Sequence, residues 1–366
     1  VVDIDLTSEA PAQELGHALT SSLGGSISSV TPFGTVKLAI EGQILDLATM
    51  RTEVYPSPAS LPLVASSTLT EDLKRRDFTI NAMAISLAPS DFGAIVDPHD
   101  GRADLEAHLI RAMHVHSFQD DPTRAFRAVR YAVRLGFHIE RHTARWMRHG
   151  APLIERVSGT RIRREIERMI EDGRGSSAIA SAYHHGLLAQ IHPALGANAI
   201  RRTIGIAVRT NLQGLELLAA LMYPLSTGEV ATLITRLSLP KQEASLAEAA
   251  VRIREAESTL KGAAPSEVDL VVGKAPIAAI TAASKVSLSP LVRASLRRYV
   301  RRTMLVIRHL DGETLSRIGV PTGPQTGQVL QALRGAELNN TVRSRQGAIH
   351  FVRHWLETAK ATGEII

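Results

Sequence analysis

From residue 1 to residue 6 the chain alternates, with Val2, Ile4 and Leu6 on one face and Asp3 and Asp5 on the other, the period of a strand. Residues 8–23 read as a helix, with Pro11 near its first turn and Gly24-Gly25 ending it. Alternation returns over residues 35–40 and 44–49 and predicts a hairpin around Glu41-Gly42-Gln43. Asp46 lies between Leu45 and Leu47, which sets a third acid on a neighbouring strand. Residues 52–70 hold Pro56, Pro58, Pro62 and several serines and read as a long irregular connection. A short helix over 71–76, broken at Asp77, a second short helix over 79–85, a buried strand over 94–97 and a helix over 104–111 follow.

Beyond residue 120 the period lengthens to that of a helix. Residues 120–135 are strongly amphipathic, with Phe126, Val129 and Val133 facing the core and Arg124, Arg127, Arg130 and Arg134 recurring every three or four positions. Ser158 caps another basic helix that runs to Ile170 and closes at Gly173. Residues 177–188, 214–223, 230–237 and 242–260 are further helices, and Gly262-Ala263-Ala264-Pro265 breaks the text. A basic helix over 290–310 carries Arg293, Arg297, Arg298, Arg301, Arg302 and Arg308, and helices over 326–335 and 345–361 finish the chain. No fixed-period repeat is visible. A strand-bearing start followed by helices alone predicts an α+β fold.

Composition narrows the function classes. With 366 residues there is room for two or more domains. No apolar run reaches the ~18–20 residues that span a bilayer. There is no cysteine, which excludes disulfides, thiolate metal sites and cysteine nucleophiles and fits a reducing, cytoplasmic setting. A net charge of +6, most of the excess being arginine, favours an anionic partner. Aromatic content of 4% argues against base-stacking platforms as the main mode of nucleic-acid binding. His184-His185 point to different sides of a helix with no matching pair to complete a metal site, and read as structural or surface residues.

Three stretches carry candidate chemistry. Asp3 and Asp5 share a strand face, roughly 6.5–7 Å apart by the rise of a strand. They read either as an exposed polar face or as oxygen ligands for Mg²⁺, which prefers carboxylates plus substrate phosphates. Asp46 supplies a third acid, a ligand or proton acceptor, and two-metal nucleotidyl transfer needs about three such groups. Asp121 and Arg124, at i and i+3, share a helix face. They read either as an intrahelical ion pair or as a recognition pair. In the second case an acceptor beside a forked donor matches cytosine and adenine, each an amine beside a ring nitrogen, and leaves guanine and uracil unpaired. Arg76, Arg127 and Arg130 are then natural phosphate contacts.

The residues from Asp3 to Leu6, Phe33 to Leu38 and Leu45 to Thr49, with Arg75-Arg76-Asp77-Phe78-Thr79-Ile80-Asn81-Ala82-Met83-Ala84 and Asp97-Pro98 through Gly101-Arg102, resemble the head of a class II tRNA nucleotidyltransferase or bacterial poly(A) polymerase. Asp120-Asp121-Pro122-Thr123-Arg124 through Arg130, Leu135-Gly136-Phe137 and Ser158-Gly159-Thr160-Arg161-Ile162 are similar to the neck of that family. The resemblance implies a nucleotidyltransferase palm over 1–113, a mixed sheet with helices, then an all-α neck over 114–175, body over 176–265 and tail over 266–366. It implies template-independent addition of CMP and AMP, from CTP and ATP, to the 3′ end of tRNA. Asp3 and Asp5 would be the Mg²⁺ ligands of a two-metal site, and Arg76, Asp121, Arg124, Arg127 and Arg130 the nucleotide-binding positions. The tail would meet the tRNA acceptor arm, with Arg297 and Arg301 on phosphates. CC-only and A-only enzymes and poly(A) polymerases share nearly all these residues. The family's Gly-Gly and Arg-Asp motif lies just before the Asp-x-Asp, so it is expected upstream of Val1. Should the native chain start at Val1, a non-catalytic RNA-binding module is the alternative. Asp120 replaces the usual Glu of the templating motif, and Asp100 stands where a second Gly is common.

Overall fold

The computed structural model describes residues 4–31, 34–321 and 323–361, with side chains to residue 358; Asp3 lies outside the described residues. The chain divides into two compact units, one of Val1–Ile166 with His184–Ile191, the other of Glu167–Tyr183 with His192–Ile366.

The first unit opens with β1 (Ile4–Ser8), α1 (Ala12–Leu23), β2 (Ser26–Val30), β3 (Thr35–Ile40) and β4 (Gln43–Thr49). They form a mixed sheet in the order β1-β4-β3-β2, with β1 parallel to β4 and the other pairs antiparallel. Glu41 and Gly42, both at positive φ, join β3 to β4, the two-residue connection whose twist matches that of the strands. The apolar face, with Val36, Leu38, Ile40 and Leu47, is covered by α1 through Ala12, Leu15 and Leu19. Asp5 pairs in register with Asp46, and Asp46 with Lys37, so these three polar side chains stand together on the opposite face. The alternation in the sequence therefore decides which side of the sheet is available for chemistry.

Residues 52–70 are more ordered than their prolines suggest. β5 (Arg51–Val54) and β6 (Leu63–Ser66) pair antiparallel, because Pro56, Pro58 and Pro62 all fall between the paired segments, where no ladder hydrogen bond is lost. α2 (Leu69–Lys74) follows. The expected helix over 79–85 is one 3₁₀ turn at Thr79–Asn81 and then β7 (Ala84–Ile85), which pairs with β8 (Ile95–Val96). This strand is not buried: Ile95 is 52% exposed. The expected helix over 104–111 is α3 (Gly101–Glu106) and then β9 (Leu109–Ile110), the chain turning where His108 takes positive φ.

The helix expected over 120–135 is interrupted. α4 (Ser117–Asp120) ends at Asp121, and α5 (Arg124–Leu135) starts three residues later. Pro122 disfavours helical geometry at the residue before it, and Asp121 takes an extended backbone instead. Its carboxylate accepts from the Thr123 amide at 3.0 Å and the Thr123 hydroxyl at 2.6 Å, a local turn that competes with the helix. β10 (His138–Ile139) pairs with β9, followed by α6 (Arg141–Gly150) and the N-terminal part of α7 (Gly159–Glu171). Phe78, Phe118, Phe126, Val129, Met147, Ile154 and Ile162 are fully buried here.

The second unit is helical: α8 (Gly175–His184) in large part, with α9 (Leu187–Ile191) belonging to the first unit, then α10 (Asn198–Arg209), α11 (Gly214–Met222), α12 (Thr227–Leu237), α13 (Lys241–Glu255), α14 (Glu257–Leu260), α15 (Pro265–Val272), α16 (Ile277–Val286), α17 (Pro290–Leu305), α18 (Gly312–Ile318), α19 (Pro324–Leu338) and α20 (Arg345–Ala361). α16 packs on α11, α13 and α17. Leu315, Val329, Leu333, Ala348 and Val352 form a separate apolar cluster under α18, α19 and α20. Pro265 occupies the first turn of α15, where its missing N–H costs nothing. No helix among the described residues is long and apolar enough to cross a membrane.

Candidate active site

A cleft of about 450 Å³ in the first unit is lined by Asp5 on β1, Glu53 and Tyr55 at β5, Arg75, Arg76, Asp77 and Asn81 after α2, Asp121, and Arg124, Arg127 and Tyr131 on α5. Of the residues singled out from the sequence, Asp5, Arg76, Asp121, Arg124 and Arg127 meet there. Four do not line it: Asp46, Arg130, Arg297 and Arg301.

The acids and arginines of the cleft differ in how far they are engaged. Asp72 is fully buried beneath it and accepts from the Arg51 amide (3.1 Å), from Arg75 Nη2 (2.7 Å) and from Arg76 Nη2 (3.0 Å). Burial alone would raise its pKa, but the hydrogen bonds and charge of Arg75 and Arg76 hold the carboxyl below the ordinary carboxylate value. Arg75 also donates to Glu53 at 2.8 Å and to the Arg51 carbonyl at 3.1 Å, so its donors go to the scaffold. Arg76 keeps a buried Nε with no hydrogen-bond partner among the described residues. A buried donor left unpaired is costly, unless a ligand completes it.

Arg127 donates to Asp77 at 2.6 Å and to the Tyr131 hydroxyl at 3.1 Å. Burial works to lower its pKa, and the Asp77 carboxylate outweighs burial, so the guanidinium is held above its ordinary value. Asp77 also accepts from Asn81 at 3.0 Å. Burial, only partly opposed by Arg124, pushes the Tyr55 phenol up, and its O–H donates to Glu53 at 3.0 Å.

Asp121 and Arg124 line one cleft, joined through the backbone, where the Arg124 amide donates to the Asp121 carbonyl at 3.1 Å, and not through their side chains. One carboxylate oxygen of Asp121 takes the Thr123 donors and an ion pair with Arg161 at 2.8 Å; the other meets no described protein donor and remains for a ligand. Arg124, only 6% exposed, donates to the Ser117 hydroxyl and to the Arg75 carbonyl, both at 2.8 Å.

Arg130 is turned away by helix geometry. At 3.6 residues per turn, positions 124, 127 and 131 form one stripe of α5, and 130 lies roughly a quarter turn off it. Its Nε stands 3.7 Å from the buried Glu165, and its guanidinium lies 4.8 Å from the Tyr131 ring centre. Asp46 is bound to Lys37 at 3.1 Å. In the second unit Arg297 donates to the Ser284 carbonyl at 3.3 Å, and Arg301 is exposed.

Glu53, Tyr55, Asp72, Asp77, Asn81 and Tyr131 were not picked out from the sequence. Arg51, Glu53 and Tyr55 do alternate at strand spacing, and Tyr131 continues the 124–127 stripe; the Asp72 hub has no comparable signature.

Among the described residues, no three acidic or histidine side chains come together to hold a metal by themselves. Mg²⁺ is usually held by one or two carboxylates plus substrate phosphates. Asp5 fits that pattern, being an exposed carboxylate at the cleft. Asp46 stands beside it in register on the same sheet face.

Residues 1–111 match the family model of the poly A polymerase head domain, and residues 136–198 that of a probable RNA- and SrmB-binding site of polymerase A. The A-adding tRNA nucleotidyltransferase of Geobacter sulfurreducens is 28% identical over 98% of this chain and 43% of its own length. The chain thus spans less than half of that relative. A solved CCA-adding enzyme in complex with CTP is 26% identical, with a TM-score of 0.80 over 98% of this chain and 87% of that one. The Thermotoga maritima CCA-adding enzyme complexed with tRNA is 26% identical, with a TM-score of 0.79 over 97% of this chain and 87% of its own. By its head-domain and RNA-binding matches and these likenesses along nearly the entire sequence, the chain is similar to the class II CCA-adding and A-adding tRNA nucleotidyltransferases.

Proposed function

We propose that this protein adds C and A nucleotides to the 3′ ends of tRNA, taking CTP and ATP as substrates with Mg²⁺, and that the cleft of the first unit is its active site. The single observation carrying this reading is the cleft's division of labour. Arg76 and Arg127 offer guanidinium groups suited to a triphosphate, while Asp121 and Arg124 leave one acceptor oxygen and several N–H donors for a pairing edge. Relatives of the same fold include enzymes solved with CTP and with tRNA, which supports the substrate class.

In this reading a triphosphate lies with its phosphates toward Arg76 and Arg127. Asp121 accepts from the exocyclic amine of C or A, and Arg124 donates to the adjacent ring nitrogen. Guanine and uracil present a carbonyl and a ring N–H to the same groups and leave both sides unpaired, a mismatch on the order of several kcal/mol. Asp5, with Asp3 and Asp46, would hold Mg²⁺. When bound there, the ion would supply Lewis-acid chemistry to the attacking RNA 3′-hydroxyl and the departing pyrophosphate. The carboxylates of Asp72 and Glu53 bind Arg75, and Asp72 binds Arg76, so these arginines are held before substrate arrives.

The experiment that tests this is incubation with tRNAs ending before the first C, after one C and after CC, each with CTP or ATP. Incorporation of C on the first two and A on the third marks a CCA-adding enzyme. A alone on the CC end marks an A-adding one. No incorporation on any end contradicts the proposal.

A further inference from the structure

Four arginines line the cleft, and among the described residues only Arg124 has no carboxylate partner; Arg76 is held by Asp72. Arg75 is engaged by the carboxylates of Asp72 and Glu53, and Arg127 by that of Asp77. Arg124 is more buried than either, yet both of its acceptors are neutral: the hydroxyl of Ser117 and the backbone carbonyl of Arg75. The nearest acid in sequence, Asp121, is bound to Arg161 instead. Neutral acceptors fix the direction of a guanidinium without spending its charge on a counter-ion. An arginine held this way is kept for a ligand.

We propose that Ser117 and Asp72 are the positioning residues that aim Arg124 at the pairing edge of the incoming nucleotide. This rests on the reading of Asp121 and Arg124 as the selecting pair. Ser117, the first residue of α4, is fully buried, with Phe118 packed beside it, so its hydroxyl has a fixed place. It orients one terminal nitrogen of Arg124. The other terminal nitrogen is oriented by the Arg75 carbonyl, whose position depends on Asp72. Asp72 binds the Arg75 side chain through Nε at 3.0 Å and Nη2 at 2.7 Å and so holds that residue against β5, where the same side chain also meets the Arg51 carbonyl. Because Asp72 grips Arg76 as well, one buried carboxylate governs both the base end and the phosphate end of the cleft. Ser117 touches only the base end.

This asymmetry sets the test. Ser117→Ala and Asp72→Asn are compared with wild type by kcat/KM for each of the four triphosphates on tRNA ends, with melting temperature as the control for folding. Ser117→Ala is expected to stay folded, melting slightly below wild type, and to lower the ratio of C or A over U and G by about tenfold, the worth of one buried hydrogen bond. Its KM for the preferred triphosphates should move little. Asp72→Asn is expected to lower the same ratio and also to raise KM for all four triphosphates alike. An unchanged ratio in a folded Ser117→Ala, with the ratio collapsing in Arg124→Ala, overturns the positioning role and leaves the functional reading standing. A wild-type protein without preference among the four overturns both.

Discussion

Arg124, Arg127 and Arg130 on α5 and Arg293, Arg297, Arg298, Arg301 and Arg302 on α17 recur at the same helical spacing, yet their guanidinium groups meet different partners. On α5, Arg124 and Arg127 stand at a cleft rich in carboxylates, and Arg124 keeps donors in hand. On α17, Arg293 donates to the Ser287 carbonyl, Arg298 to the Ala263 carbonyl, and Arg302 to the carbonyls of Glu337 and Leu338 and to Asn340. These close the exposed carbonyl ends of neighbouring helices and loops, a common use of arginine. Both stripes read as candidate anion sites in the sequence. Counting where each donor goes separates the one organised for a ligand from the one largely committed to the scaffold.

The comparison can be broken from either side. The largest effect is expected at the acid proposed to hold Mg²⁺: Asp5→Asn should cut nucleotide incorporation on the order of a thousandfold and leave the melting temperature unchanged. A comparable activity in the variant would remove Asp5 from the chemistry.

On the second stripe the expected loss is one of stability. Arg302→Ala should cost on the order of 2 kcal/mol in denaturant unfolding, since three acceptors at the end of α19 lose their donor. Arg301→Ala, at an exposed position, should stay within about 0.5 kcal/mol of wild type. If Arg301 contacts tRNA phosphate, that variant lowers the salt slope of binding by about 1. An unchanged slope would take Arg301 out of the interface.

The Asp72 hub sharpens the picture through pH. Its folded carboxyl is held below the unfolded value of 3.8 by Arg75 and Arg76 against the opposing effect of burial. The stability it supplies is therefore fully present above that unfolded value and is lost as pH falls through the lower folded one. Asp72→Asn should cost about 3 kcal/mol near neutral pH, because two arginines lose a buried partner. That gap should shrink as pH falls below the unfolded value of 3.8. A gap independent of pH would show that Asp72 acts through packing alone.

The head of the fold was legible because period two places Ile4, Leu6, Leu45 and Leu47 on one face and Asp5 and Asp46 on the other, and the sheet keeps that division. The break at Asp121-Pro122-Thr123 was hidden because the helical arginine pattern that starts at Arg124 was extended back to Asp120. Pro122 was the local sign, and an Asp that bonds its own neighbouring amide was the reason. Asp72 stayed invisible because an acid followed by two arginines within one turn describes a surface helix equally well; only burial from other elements turns it into a hub. The prolines of residues 52–70 pointed to a loop because single positions cannot reveal that β5 and β6 pair around them.

The most direct measurement is incorporation of each of the four triphosphates at a tRNA end by wild type and by Asp121→Ala. The preference for C and A over G and U should be clear in the wild type and largely lost in the variant. A preference that survives the loss of Asp121 intact would contradict the claim that this side chain and Arg124 choose the nucleotide.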